Sequence, residues 1–149
     1  RKTHPGLRAV EKHAVQLGGG RNHRLRLDDG VMIKDNHVAV CGSIKAAIAK
    51  AKAGVPVLTR VECECDRLEQ VREALDAGAD MILLDNMDLA TLREAVKMAA
   101  GRVPLEASGG VNLETIRGIA ETGVDFISVG RITQSSPAVD IGLDVTITV

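Results

Sequence analysis

Aromatic side chains are almost absent: Phe126 stands alone, with no Trp and no Tyr among 149 residues. Single-stranded nucleic acids stack their bases on aromatic platforms, and duplexes are gripped by basic surfaces. A chain with one aromatic ring and a net charge of −1 offers neither, so a nucleic-acid partner is not expected. No apolar run reaches the roughly 18 residues of a membrane span. No signal-peptide pattern is visible. Cysteine is scarce and odd in number, at three. Cys63 and Cys65, two residues apart on a strand, are so placed that they cannot easily pair in a disulfide. They read as reduced packing residues of a cytoplasmic protein and not as a zinc site.

What remains is aliphatic. The chain is 45% hydrophobic, supplied by Val, Ile, Leu, Ala and Met. That suits layered α/β packing, where buried parallel strands are branched and apolar. The length fits one domain. The chain starts at Arg1 without Met, inside what reads as a motif, so a fragment or processed chain is expected.

Residues 7–17 carry Leu7, Val10, Ala14 and Leu17 at helical spacing, and Gly18-Gly19-Gly20 end the helix. A βα rhythm follows. Val31-Met32-Ile33-Lys34 is a short apolar run. Ser43 caps a helix that Gly54 stops. Residues 57–64 form the next strand, and Asp66 with Glu69 opens a helix like a capping box. Residues 80–85 are a buried strand, and Asp88 caps the helix after it. Residues 103–107 are a strand, Asn112 caps a helix, and 124–129 are a strand. Strands recur roughly every 22 to 27 residues, the length of one βα unit. Ala77-Gly78-Ala79-Asp80 is echoed by Thr122-Gly123-Val124-Asp125, an internal repeat.

This rhythm predicts a parallel sheet or a (β/α) barrel. No G-x-G-x-x-G stands between a strand and a helix, which weighs against a dinucleotide fold. Polar residues collect after every strand, where barrel enzymes keep their sites. The strands are too few to close the ring. The expected fold is therefore an incomplete (β/α) TIM-like barrel over residues 1–142, truncated at the N-terminus. Residues 143–149 alternate as a strand of a different sheet.

Strand period places Arg60, Glu62 and Glu64 on one face, with Thr59, Val61 and Cys63 on the other. Helices do not cover three charges, so the charged face lines the barrel. The rim then receives Lys34, Glu64 and Asp85 from consecutive strands, with Glu106 next to them. Glu64 and Asp85 form either a Mg²⁺ site or part of a salt-bridge network with Lys34 and Arg60. Ser108-Gly109-Gly110 before a capped helix, and Gly130 after the last strand, read as a phosphate cup or as tight βα turns. His23, Arg24 and Lys34 make a cationic cluster that calls for an anion. His4, His13 and His37 read as turn, helix-surface and loop residues. Lys45, Lys50 and Lys52 read as a solvated helix face, and Asp28-Asp29-Gly30 as a plain turn.

Seven segments occur in the order found in the quinolinate phosphoribosyltransferase family. They are Arg1-Lys2-Thr3 with Pro5-Gly6-Leu7-Arg8; Gly18-Gly19-Gly20-Arg21-Asn22-His23-Arg24; Ile33-Lys34-Asp35-Asn36-His37; Glu62-Cys63-Glu64; Leu84-Asp85-Asn86; Glu106-Ala107-Ser108-Gly109-Gly110; and Ile127-Ser128-Val129-Gly130. The resemblance covers nearly the whole chain. It implies phosphoribosyl transfer from phosphoribosyl pyrophosphate to quinolinate, with decarboxylation, Mg²⁺ as cofactor and a homodimeric or larger full-length enzyme. It implies Arg1, His23, Arg24 and Lys34 on the quinolinate carboxylates, Lys2 between the substrates, and Glu64 and Asp85 on the ribose and metal-pyrophosphate side. Ser108, Gly109 and Gly130 would hold the 5′-phosphate.

The chain departs from the family pattern in places. The family's N-terminal α/β sandwich, which covers the partner subunit's barrel and lends it an arginine, is not in this sequence. Residues 143–149 resemble the segment that returns to it. Arg26 stands where the family has a small residue, and Gln134 where many members have His. Two other readings share the pattern: a molybdenum-transport-linked paralogue with another substrate, and an inactive barrel fragment.

Overall fold

Short branched strands alternating with capped helices fold here into repeated βα units. The computed structural model describes residues 1–147. Its elements in chain order are α1 (Arg8–Leu17), β1 (Val31–Ile33), α2 (Asp35–Cys41), α3 (Ile44–Gly54), β2 (Val61–Cys65), α4 (Leu68–Asp76), β3 (Met81–Asp85), α5 (Leu89–Ala99), β4 (Leu105–Ser108), α6 (Ile116–Ala120), β5 (Phe126–Ile127) and α7 (Arg131–Gln134). They fall into two units. One is Arg1 with Asn22–Val129; the other is Lys2–Arg21 with the chain from Gly130 onward.

In the first unit all five strands are parallel and lie in sequence order, β1-β2-β3-β4-β5. A doubly wound sheet reverses its order at a switch point. The one-way order is that of a barrel wall, as the rhythm predicted. Val61, Cys63, Cys65, Ile82, Leu84, Leu105 and Ala107 form the buried side beneath the helices, packed with Ile44, Ile48, Val71, Ala74, Leu92 and Ala95. Alternation then turns Glu62, Glu64, Leu83, Asp85, Glu106 and Ser108 to the opposite face. Cys63 and Cys65 are fully buried free thiols. The neighbouring Cys63 and burial push the Cys65 thiol up, so it stays uncharged.

Several caps match their sequence signals. Ser43 Oγ accepts from Ala46 N–H at 3.0 Å, and Asp88 Oδ1 accepts from Thr91 N–H at 2.7 Å. The α4 cap is different from the expected Asp66–Glu69 pair. Gln70 Oε1 instead reaches back to the N–H groups of Asp66 and Arg67, at 2.7 and 3.1 Å. Asn112 caps as expected, accepting from Glu114 and Thr115 N–H at 2.9 and 3.0 Å. The regular helix begins only at Ile116, because turn residues intervene.

Other expectations need correction. Residues 35–41 form the helix α2, where a loop was expected; Lys34 is its N-cap residue and left-handed Gly42, at φ 86°, ends it. β5 is two residues long, shorter than the predicted 124–129. Residues 143–147 have no regular structure and are exposed, because a strand needs a paired edge and none is recorded for them; Thr148 and Val149 lie outside the described residues. Lys52 is not simply solvated: its Nζ pairs with Asp80 Oδ1 at 2.8 Å.

The sequence repeat has a structural meaning. Asp80 N–H donates to the Val61 carbonyl at 2.9 Å, while Asp80 Oδ2 accepts from Val61 N–H at 2.8 Å. Asp125 does the same to Leu105, at 3.0 and 2.8 Å. Each aspartate clamps the start of the preceding strand and sets the register of its rim.

In the second unit α1 packs against α7. Thr133 Oγ1 donates to the Lys2 carbonyl at 2.6 Å. The four residues of the predicted apolar stripe, Leu7, Val10, Ala14 and Leu17, are all exposed, and the buried residue of α1 is Lys12.

Candidate active site

The loop after the glycines is held by its own backbone. Asp29 takes the N–H groups of Leu25 and Arg26, at 2.5 and 3.0 Å. Burial opposes the Asp29 charge, but those N–H bonds outweigh it and hold the carboxyl below its ordinary range. Arg24 Nη1 donates to the Gly30 carbonyl at 2.9 Å. The Asp-Asp-Gly segment, expected as a plain turn, is thus the clamp that fixes the Arg24 loop. Nothing in its sequence distinguishes it from other turns.

His23 reaches the inner face of the strands. Its Nε2 lies 3.3 Å from Glu62 Oε2 and 3.6 Å from Glu106 Oε2. Both glutamates are buried, at 6% and 4% exposure, which is rare for carboxylates without partners. Ser128 Oγ donates to Glu106 Oε1. Burial pushes the Glu106 carboxyl up; Ser128 and His23 work against it, and Glu62 adds to it. The Glu62 hydrogen bond raises the His23 pKa; desolvation opposes this, and Glu106 supports it. On the far side of the ring, Arg24 N–H donates to Nδ1 at 2.8 Å.

The three donors lie within 4.8 Å of one another, close enough to suggest a metal. The hydrogen-bond pattern argues otherwise. If Nδ1 accepts from a backbone N–H, the neutral ring carries its proton on Nε2, facing the carboxylates. A metal-bound nitrogen must be unprotonated. The group is a histidine ring set against two buried carboxylates.

Lys34 stands at the end of β1 and Glu64 on β2. Lys34 Nζ donates to Glu64 Oε2. The salt bridge expected between them is present; Arg60 takes no recorded part in it.

Asp85 ends β3, and its Oδ2 accepts from Asn86 Nδ2 at 2.8 Å. Asn86 has φ 52°, in the left-handed region that few non-glycine residues adopt. Its N–H donates to the Ser108 carbonyl at 2.9 Å, tying the end of β3 to that of β4. Gly109, at φ +96°, is packed against it: a Cβ there would collide with the Asn86 amide and lie 3.0 Å from its backbone nitrogen. Gly109 is therefore required on two grounds. In the sequence, Asn86 was marked only by its place after a strand and by the Leu84-Asp85-Asn86 segment of the resemblance.

Among the candidate residues, the first unit brings together His23 with Glu62 and Glu106, Lys34 with Glu64, and Asp85 with the Ser108-Gly109 turn. Glu62 and Ser128 were missed as site residues, although strand alternation had already placed Glu62 on the charged face. Arg1 is exposed. Lys2 and Gly130 belong to the second unit, where a Cβ on Gly130 would lie 3.4 Å from the Lys2 side chain.

One-way parallel strands with cations, carboxylates and a glycine turn at their C-terminal ends define the class: a (β/α)-barrel domain with a charged rim. The model of the family described as quinolinate phosphoribosyl transferase, C-terminal domain, matches residues 1–144, and the chain belongs to that family. It is 48% identical over 147 residues to the probable nicotinate-nucleotide pyrophosphorylase [carboxylating] of Bacillus subtilis, covering 99% of this chain and 51% of the relative. It is also 48% identical to the enzyme of that name from Mycobacterium leprae, covering 97% of the chain and 51% of the relative. The crystal structure of nicotinate-nucleotide pyrophosphorylase from Ehrlichia chaffeensis superposes with a TM-score of 0.91 at 49% identity, over 97% of this chain and 52% of that one. The chain spans about half the length of the curated relatives it matches.

Proposed function

We propose that the protein carrying this domain transfers a phosphoribosyl group from phosphoribosyl pyrophosphate to quinolinate and releases pyrophosphate and CO₂, giving nicotinate mononucleotide. One observation carries the reading. Lys34, a cation suited to a quinolinate carboxylate, is bonded to Glu64, a carboxylate suited to the ribose side, across neighbouring strands. A pyridine subsite and a ribose subsite would then share one wall. The family relationship supports this over a molybdenum-linked paralogue or an inactive fragment.

Quinolinate is a dianion, and Arg1, His23, Arg24 and Lys34 would offset its charge by charge-assisted hydrogen bonds. Attack of the pyridine nitrogen on the ribose breaks the bond to pyrophosphate and builds positive charge at that carbon. Glu64 and Asp85 would stabilise this charge electrostatically. Alkylated, the ring nitrogen becomes an electron sink. It accepts the electron pair left as CO₂ departs, and a proton then replaces the carboxylate. Lys2 would sit between the substrates. Ser108, Gly109 and Gly130 would hold the 5′-phosphate.

Glu64 Oε2 is taken by Lys34 and Asp85 Oδ2 by Asn86, which leaves Oε1 and Oδ1 for a hard cation. Two carboxylates on adjacent strands, completed by substrate phosphates, fit Mg²⁺. When bound, Mg²⁺ would neutralise charge on the leaving pyrophosphate. A homodimer or larger assembly in the cytoplasm completes the proposal; among the described residues no helix is long and apolar enough to cross a membrane. The test is quinolinate-dependent CO₂ release by the full-length protein with phosphoribosyl pyrophosphate and Mg²⁺. Release is expected, and its absence from folded protein overturns the reading.

A further inference from the structure

The contacts at the two nitrogens of the His23 ring are not those of a residue waiting for an anion. Nδ1 accepts from Arg24 N–H at 2.8 Å. Nε2 faces Glu62 and Glu106 at 3.3 and 3.6 Å. A neutral imidazole has one donor and one acceptor, and this arrangement uses both. Presenting an N–H to a carboxylate requires a second proton on Nδ1. That proton cannot share the space with the Arg24 N–H, so the bond between them must open.

We propose that binding of the pyridine dicarboxylate is coupled to uptake of one proton by His23, whose Nδ1–H then joins Arg24 N–H in gripping a single substrate carboxylate. This inference rests on the phosphoribosyl-transfer reading of the site. Glu62 and Glu106 are the positioning residues. They keep the Nε2 end of the ring anchored and stabilise the imidazolium from within the barrel wall.

The groups facing the ring bear this out by sign. From β2 comes Glu62 and from β4 comes Glu106, both buried carboxylates that favour a charged ring. From beyond β5, Ser128 fixes Glu106 through its Oε1 and leaves Oε2 toward His23. On the ring's own segment, Arg24 turns its guanidinium to the Gly30 carbonyl. Desolvation opposes the second proton. The incoming carboxylate supplies the further negative charge that completes the protonation. The proton comes from solvent, and no bond other than the Arg24–Nδ1 hydrogen bond is broken.

Titration calorimetry of the full-length protein with quinolinate, in buffers of different ionisation enthalpy between about pH 7 and 9, tests this directly. The heats should vary with buffer and report close to one proton taken up per site where the free ring is neutral. Across that range the Kd should rise about tenfold per pH unit. Glu62→Gln and Glu106→Gln should move the onset of that rise to lower pH. His23→Gln should bind more weakly, with heats independent of buffer. Ring ¹⁵N shifts of His23 in the unmodified protein give a readout that needs no variant: Nδ1 should change from unprotonated to protonated on adding quinolinate. Tight quinolinate binding with buffer-independent heats and an unchanged Nδ1 overturns the coupling alone. No quinolinate binding by the folded full-length protein overturns both the coupling and the reading beneath it.

Discussion

Asp80 and Val61 bind each other twice, backbone N–H to carbonyl at 2.9 Å and backbone N–H to carboxylate at 2.8 Å. Asp125 and Leu105 repeat this one pair of strands further on. The repeated Gly-x-Asp segments are thus register clamps at the end of the sheet opposite the rim. Hydrogen bonds to charged groups contribute about 1.5–3 kcal/mol, so Asp80→Ala should cost about that in urea denaturation. The unpaired Val61 N–H sits at the edge of the core, which makes the upper half of the range the expectation. Asp125→Ala should cost a similar amount, and the double variant should be near additive because the two clamps share no partner.

The same clamp sets a pH dependence. Burial pushes the Asp80 carboxyl up, but the bond from Lys52, the Val61 N–H and the Lys52 and Arg60 charges outweigh it and hold it below its ordinary value. A folded value lower than the unfolded one contributes stability above the unfolded carboxylate range, about pH 4, and loses it as pH falls through the folded value. Thermal melts of wild type and Asp80→Asn from pH 7 downward should converge in the acid range. A constant gap between them down to the lowest pH would remove the Asp80 charge from the account.

Gly109→Ala should be disruptive for two separable reasons. A left-handed backbone costs a side-chain-bearing residue about 1–2 kcal/mol, and the added Cβ would meet the Asn86 amide. Relief of the collision must displace Asn86, and with it the tie between β3 and β4. We expect a loss of at least about 2 kcal/mol in stability and weaker binding of phosphoribosyl pyrophosphate. Gly110→Ala meets no neighbouring atom and should cost only the backbone term. Comparing the two by denaturation separates steric demand from conformational demand.

Much of this was legible in the sequence because local chemistry and global fold agree. Ser43 and Asp88 cap where their side chains said they would, and the βα period gave the barrel wall. Lys34 and Glu64 met because each lies at the end of its strand. The rest depended on tertiary neighbours. Glu62 and Glu106 share the inward alternation of Glu64, but only the position of the His23 loop makes them a unit. Gln70 displaced the expected cap because it reaches two N–H groups at once. The strand expected from residue 143 has the alternation of a strand, but alternation names a face and does not supply a partner edge.

Lys34→Ala separates binding from folding. The Lys34 side chain is 43% exposed, and a half-exposed pair contributes about 0–1 kcal/mol to stability after screening. A charge-assisted contact to a substrate carboxylate is worth about 1.5–3 kcal/mol. The variant should therefore melt within a few degrees of wild type and bind quinolinate roughly ten- to a hundredfold more weakly. Unchanged quinolinate affinity by calorimetry would remove Lys34 from the pyridine subsite.

Asn86→Gly offers the sharpest division of structure from function. Asn86 is held at φ 52°, a conformation glycine adopts without cost, so the variant relieves backbone strain. Glycine also frees the unfolded chain, and the two effects offset to within about 1 kcal/mol. The backbone bond to the Ser108 carbonyl survives, since it needs only the N–H. What is lost is the side-chain bond to Asp85 Oδ2, the contact that fixes the orientation of that carboxylate. If Asp85 acts on the ribose and on the metal-pyrophosphate group, a freely rotating carboxylate should lower turnover about tenfold, equivalent to about 1.4 kcal/mol in the transition state. Quinolinate affinity should not change, because no cation of the pyridine wall is touched. The Mg²⁺ concentration needed for half-maximal rate should rise. A variant with wild-type turnover and wild-type Mg²⁺ dependence would show that Asn86 serves the turn alone.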